Sequence, residues 1–215
     1  LASLPWSGNI RGFDNPEPIH RLATYATRGW LGTTHEDQML DLLRRDLHRG
    51  STSHKTVIEN LAFSKFLQEG YARRNSGEYE ASRYFRVARG LGQALASQTR
   101  DILGYLMNLN DNHWVVVVLN FRDSTILYGD SLGDPIPANL ASILDWWTNT
   151  HTGLTFVHKT LPITHQQDSF SCGLLSFNAL AHYILPDQYP LINPVEVDNE
   201  RLKIMLQVVK RHSEQ

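Results

Sequence analysis

Residues 168–184 read Asp-Ser-Phe-Ser-Cys-Gly-Leu-Leu-Ser-Phe-Asn-Ala-Leu-Ala-His-Tyr-Ile. The segment 168–171 is a polar approach, and from Cys172 to Ile184 only Ser176, Asn178 and His182 interrupt apolar or small residues. A helix with that pattern is wetted on almost no face, so it is expected to run through the core. The thiol of Cys172 then falls at a helix N-terminus with Gly173 beside it, where unpaired backbone N–H groups and the positive end of the helix dipole favour a thiolate. The plain alternative is a buried cysteine serving as a small hydrophobe.

Outward from this helix, the second half of the chain reads as strands followed by helices. Ile102 to Asn108, His113 to Phe121 and Thr125 to Tyr128 are apolar or β-branched runs. They are separated by Asn110-Asp111-Asn112 and Arg122-Asp123-Ser124, turns short enough for a meander. Ala138 to Trp147 has a helical pattern, Leu154 to Ile163 reads as a strand with Pro162 near its end, and Glu196 to Arg211 closes the chain as an amphipathic helix. The first half is mostly helical in pattern and begins after a Gly- and Pro-rich stretch, Gly8 to Pro18, that reads as an extended arm. Thr33 with Glu36 has capping-box spacing, and Met39, Leu40, Leu42, Leu43 and Leu47 form the stripe of the helix that follows. Val57, Ile58, Leu61, Ala62 and Phe66 repeat at helical spacing up to Gly70, and Tyr84 to Leu95 carries a weaker helical pattern. The expectation is an α+β fold: a central mixed sheet with a buried helix starting at Cys172, an arm over 1–29 and a single domain over 30–215.

The bulk properties narrow the function. A chain of 215 residues with 41% hydrophobic and 20% charged side chains is a globular domain rather than a disordered one. A net charge of −2 supplies no global basic field, so nucleic acid is not an expected partner. The longest apolar run, Trp114 to Leu119, is far short of the roughly 20 residues of a membrane span, and no signal-peptide layout is present. With one cysteine there is no intrachain disulfide and no cysteine cluster, so no metal or cofactor is expected and an intracellular location is.

A cysteine nucleophile needs a base. Of the ten histidines, His20, His48, His54, His151, His158 and His212 sit among polar neighbours and read as surface residues, while His182 reads as a hydrogen-bonded core histidine. His113 differs because it opens the most hydrophobic strand directly after a turn, and its plain reading is a turn histidine. Asp130, after the strand Thr125 to Tyr128, could orient an imidazole, although direct hairpin pairing of the strands would require a wider connection to bring it to His113. Arg73, Arg74, Arg83, Arg86 and Arg89 form the one basic cluster, read first as a solvated face and second as a docking patch. Trp6, Trp146 and Trp147 read as core packing.

Taken together, His113-Trp114, Gly129-Asp130-Ser131 and Gln166 to Cys172-Gly173 resemble the signature of the ubiquitin-like protein-specific proteases, the SUMO or sentrin proteases related to adenain. The spacings of 17 from His113 to Asp130 and 6 from Gln166 to Cys172, and the order His, Asp, Gln, Cys, match that family. Trp30-Leu31, with Leu42 and Leu43 following, resembles the family's helix start, so the resemblance spans about Trp30 to Arg211. The local sequence is closest to divergent fungal, mobile-element-associated members. Gly32-Thr33 departs from the family's Asn-Asp, Asp37 stands where Asn is common, and Ser171 replaces the usual Asp before the nucleophile.

The resemblance implies a papain-like, adenain-like cysteine protease fold. It implies Cys172 as nucleophile, His113 as base, Asp130 as its orienting carboxylate and Gln166 as oxyanion donor, with Trp30 and Trp114 enclosing the diglycine tail of a modifier such as SUMO, NEDD8 or ubiquitin. The implied reaction is hydrolysis of the bond after that diglycine, by a precursor protease or isopeptidase. Two rivals stand beside it: an acetyltransferase using the same thioester logic, which would need a cofactor pocket with basic phosphate contacts, and a binding module that grips a modifier tail without cutting.

Overall fold

The valine run Val115 to Val118 is buried on both faces, because it occupies the central strand of a five-stranded sheet with a helical layer on each side. The computed structural model describes residues 6–15, 17–50 and 54–215. In chain order its main elements are α1 (Thr33–His48), β1 (Thr56–Ile58), α2 (Phe63–Ala72), the one-turn α3 (Glu78–Ala81), α4 (Arg86–Ala96), β2 (Ile102–Leu109), β3 (His113–Asn120), β4 (Thr125–Gly129), α5 (Ala138–Thr152), β5 (Val157–Thr160), α6 (Cys172–Ile184) and α7 (Val197–Ser213). The sheet order is β1-β2-β3-β4-β5. The meander β2-β3-β4 is antiparallel, as its short turns require, and β1 and β5 flank it as parallel strands. The sheet is therefore mixed, as expected.

Alternation along β3 separates two cores. Trp114, Val116 and Val118 face the helix α6, with α1 and α7 behind it, while Val115, Val117 and Leu119 face the layer of α2, α4 and α5. Helix α6 is buried from Cys172 to Ala181. It lies so close to the sheet that a Cβ at Gly104 of β2 would stand 2.4 Å from Leu180 Cδ1, so any larger residue there would have to displace that buried leucine.

Three local readings change. Thr56–Ile58 pairs with β2 as a parallel strand, and the helix begins only at Phe63; the apolar positions 57, 58, 61 and 62 match a helical period without forming one, because β-branched Thr-Val-Ile gains more on the sheet edge. Helix α1 does start at Thr33, but Gly32 is its N-cap and the returning bond comes from His35, whose Nδ1 accepts from the Gly32 N–H (3.2 Å). Glu36 turns inward instead. The stretch before Trp30 is not all extended: Ile19–Ala26 forms a 3-10 helix packed on α7, with Ile10, Ile19, Leu22 and Tyr25 buried. Residues 1–5 and Pro16 of the arm lie outside the described residues. No helix among the described residues is long and apolar enough to cross a membrane.

Candidate active site

Cys172 is the first residue of α6, and Asp168 builds the turn that delivers it there. One carboxylate oxygen of Asp168 accepts from Phe170 N–H (2.9 Å), Ser171 N–H (2.8 Å) and the Ser171 hydroxyl (2.8 Å). Three bonds to one oxygen hold the polar approach in a single conformation. The Ser171 that departs from the family pattern thus still serves the turn.

His113 and Asp130 are brought together by the hairpin β3-β4. Its register pairs Val116 with Gly129, so Asp130 lies one step past the last pair and diagonally across from His113. Direct hairpin pairing is therefore sufficient, and no wider connection is needed. His113 Nε2–H donates to Asp130 Oδ1 at 2.7 Å. The same carboxylate accepts from Leu132 N–H (2.8 Å) and Tyr128 O–H (3.2 Å), which fixes its plane. With Nε2 engaged, Nδ1 is the ring nitrogen left to face the thiol.

The electrostatics follow from these contacts. Hydrogen bonds to Asp130 and then to Cys172 raise the His113 imidazole to about 9, against the opposing effect of burial. Burial pushes the Cys172 thiol up, but His113, the Trp114 backbone and the Trp30 indole together bring it below the ordinary thiol value. Burial likewise raises Asp130, and its bonds from His113 and Leu132 overcome that and leave it below the usual carboxylate range. The arrangement favours an imidazolium–thiolate pair.

Gln166 lines the cleft in front of Cys172, a cleft of about 630 Å³ that also includes Asn112, Asp134 and Ser169. Gln167 is exposed, so of the two adjacent glutamines only Gln166 faces this cleft. Trp114 is buried and anchored by its indole N–H to the Leu31 carbonyl (2.8 Å). Half-buried Trp30 stacks on it with ring centroids 5.6 Å apart and planes 17° from parallel. A chain threaded between two rings needs about 7 Å, two van der Waals separations. The passage between the two rings is closed in this structure.

The remaining sequence readings divide. His151 is half-buried and bonded to the Tyr79 hydroxyl (2.9 Å), and His212 is buried, accepting from Arg11 N–H; neither is a surface residue. His182 bonds the Tyr189 carbonyl as a core-type histidine should. Trp147 is fully buried, whereas Trp6 is 47% exposed and does not pack in the core. The basic cluster is largely committed internally: Arg73 pairs with Glu78, Arg74 lies over the Tyr71 ring and Arg89 bonds the carbonyls of Tyr79 and Ser82.

Sequence reasoning missed three residues beside the site. In the sequence Ser131 stands only as part of a motif and Glu36 as a cap, and Arg201 is not singled out within the last amphipathic helix. All three are buried, and only the packing of distant segments reveals it.

A thiol at a helix start, an imidazole and an orienting carboxylate on an α+β scaffold define a cysteine peptidase. The sequence pattern of the Ulp1 protease family, C-terminal catalytic domain, matches residues 29–208, and the chain belongs to that family. Among solved structures it is similar to a SUMO protease Ulp1 with its catalytic cysteine oxidised to a sulfenic acid (19% identity, TM-score 0.70, 94% of this chain and 88% of that one). It is also similar to the C-terminal Ulp1 protease domain in complex with Smt3, the yeast ortholog of SUMO (20% identity, TM-score 0.67, 97% and 90%). A third likeness is the Xanthomonas campestris effector XopD bound to ubiquitin (20% identity, TM-score 0.52, 81% and 91%). No curated protein matches the chain.

Proposed function

We propose that this domain hydrolyses the bond after the C-terminal diglycine of a ubiquitin-like modifier, with SUMO as the first candidate. The observation that carries the reading is the His113–Asp130 bond at 2.7 Å beside a thiol at the start of α6. The Cys172 thiolate attacks the carbonyl of the terminal glycine, and the oxygen of the tetrahedral intermediate is held by the Cys172 backbone N–H and the Gln166 amide. His113 passes its proton to the leaving amine, giving a thioester. Water then attacks the thioester with His113 as base, releasing the free carboxylate and restoring the thiol.

Because Trp30 rests on Trp114, the tail enters as Trp30 swings off the anchored ring. Only glycine passes such a gap without a side chain colliding with indole. Acetyl transfer is not favoured, since the cleft in front of Cys172 is lined by Asp130, Asp134 and Asp168 and by no Lys or Arg that could hold the phosphates of an acyl donor.

The test is a panel of SUMO, NEDD8 and ubiquitin bearing C-terminal electrophiles. One modifier is expected to attach to Cys172, located by mass spectrometry, and Cys172→Ala is expected to abolish labelling. Labelling that survives in Cys172→Ala, or no labelling by any of the three, overturns the reading.

A further inference from the structure

Ser131 follows Asp130 directly and is fully buried, and its hydroxyl is not hydrogen-bonded to His113. Its hydroxyl donates instead to Gln166 Oε1 at 2.6 Å, a bond between residues 35 apart in sequence. The backbones of the two residues are also joined, Gln166 N–H donating to the Ser131 carbonyl at 2.9 Å. On its other side the Gln166 amide nitrogen donates to the Asp168 carbonyl at 2.9 Å.

These partners determine which way the amide points. A backbone carbonyl can only accept, so the –NH2 must face Asp168 and the oxygen must face Ser131, where the hydroxyl supplies the matching proton. One N–H of the amide is then consumed by Asp168, and the other is the single donor left. An oxyanion donor is worth about 10²- to 10³-fold in rate only when it is already aimed. With the Asp168 bond alone the amide could still rotate about it, because Gln has several free torsions.

We propose that Ser131 is a positioning residue that locks the Gln166 side chain as an oxyanion donor, so that the turn carrying the orienting carboxylate also sets the oxyanion hole. The proposal rests on the reading of Gln166 as that donor. Asp130 holds the base and the next residue holds the donor, so one turn after β4 aligns both halves of the machinery.

The experiment uses SUMO with a C-terminal fluorogenic amide, or whichever modifier the electrophile panel selects, and four variants: Ser131→Ala, Ser131→Thr, Gln166→Ala and the Ser131→Ala/Gln166→Ala double. Ser131→Ala is expected to lower kcat about tenfold or more with KM unchanged, Ser131→Thr to recover most of it by restoring a hydroxyl, and the double variant to be no worse than Gln166→Ala. The rate of Cys172 alkylation by iodoacetamide, and its pH dependence, should be the same in Ser131→Ala as in the parent, because alkylation uses the thiolate and not the oxyanion hole. An alkylation profile that shifts with Ser131→Ala overturns the proposal, since the residue then acts through Asp130. So does full activity of Ser131→Ala beside a crippled Gln166→Ala. Full activity of Gln166→Ala instead removes the donor reading itself. Should Ser131→Ala fail to fold, judged by its melting, Ser131→Cys keeps the size with a weaker donor, and an unchanged kcat in that variant overturns the proposal.

Discussion

At the scale of single residues, what distinguishes His113 from the other histidines is that one carboxylate is held for it. Asp130 is pinned by Leu132 N–H and Tyr128 O–H, so it cannot rotate away when the imidazole gains or loses its proton. The consequence is a pH profile. In the proposed reaction His113 is protonated when it serves the leaving amine, so its pKa of about 9 is expected to place the alkaline limb of kcat/KM there. Asp130 is the largest cause of that elevation, so Asp130→Asn removes a neighbouring negative charge and moves the limb to lower pH. It also lowers kcat, by less than His113→Ala, because the ring loses its tautomer control but not its nitrogen. A limb that stays at pH 9 in Asp130→Asn would reassign Asp130 as a turn residue.

At the scale of elements, the contact between α1 and the start of α6 is unusual for what it buries. Glu36 of α1 is fully buried with neither carboxyl oxygen hydrogen-bonded, and a Cβ at Gly173 would stand 2.0 Å from its Oε1. A side chain at Gly173, next to Cys172, would therefore have to displace the buried Glu36 carboxyl. Burial, with the nearby Cys172 and Asp37, holds the Glu36 carboxyl well above the ordinary range, so the fold favours its neutral form. In the unfolded chain it ionises near pH 4.3. The folded state thus binds one more proton, and stability contributed here falls as pH rises above that value, at a limiting slope of about 1.4 kcal/mol per pH unit. Glu36→Gln, a neutral isostere, is expected to melt higher than the parent at pH 7 and to lose that advantage toward pH 4. Equal melting temperatures across the range would mean that the carboxylate is stabilised in the fold.

At the scale of the whole molecule, the N-terminal and C-terminal segments meet beneath Trp30. Arg201 of α7 is buried and donates to the carbonyls of Thr24 (2.8 Å), Tyr25 (3.3 Å) and Gly29 (2.7 Å). Gly29 immediately precedes Trp30, so this guanidinium ties the segment that carries Trp30 to the last helix. Removing three bonds from a charged donor, with only the Thr24 carbonyl keeping another partner in Thr27, costs about 3 kcal/mol. Arg201→Ala is therefore expected to lower the unfolding free energy measured by urea titration by about that amount and to make residues 20–30 the first site of limited proteolysis. It should raise KM for the modifier more than it lowers kcat, since the Cys172, His113 and Asp130 contacts do not depend on it. A fall in kcat alone would place Arg201 in the chemistry instead.

The buried helix beginning at Cys172, the antiparallel meander and the amphipathic last helix were legible in the sequence, because each is set by local periodicity over many residues. The order His113, Asp130, Gln166, Cys172 was legible too, since spacing survives translation into text. The strand at Thr56–Ile58 was not: a three-residue edge strand exists only when a partner 46 positions away supplies its hydrogen bonds. Nor were the hairpin diagonal that joins Asp130 to His113, the inward turn of Glu36, the bond from Ser131 to Gln166 and the Arg201 tie to Gly29. Sequence determines which faces seek burial, because apolar pattern is a property of neighbouring residues. Which polar groups are carried inside, and whom they meet there, is decided only when distant segments pack, because burial and hydrogen-bond partners are properties of the assembled core.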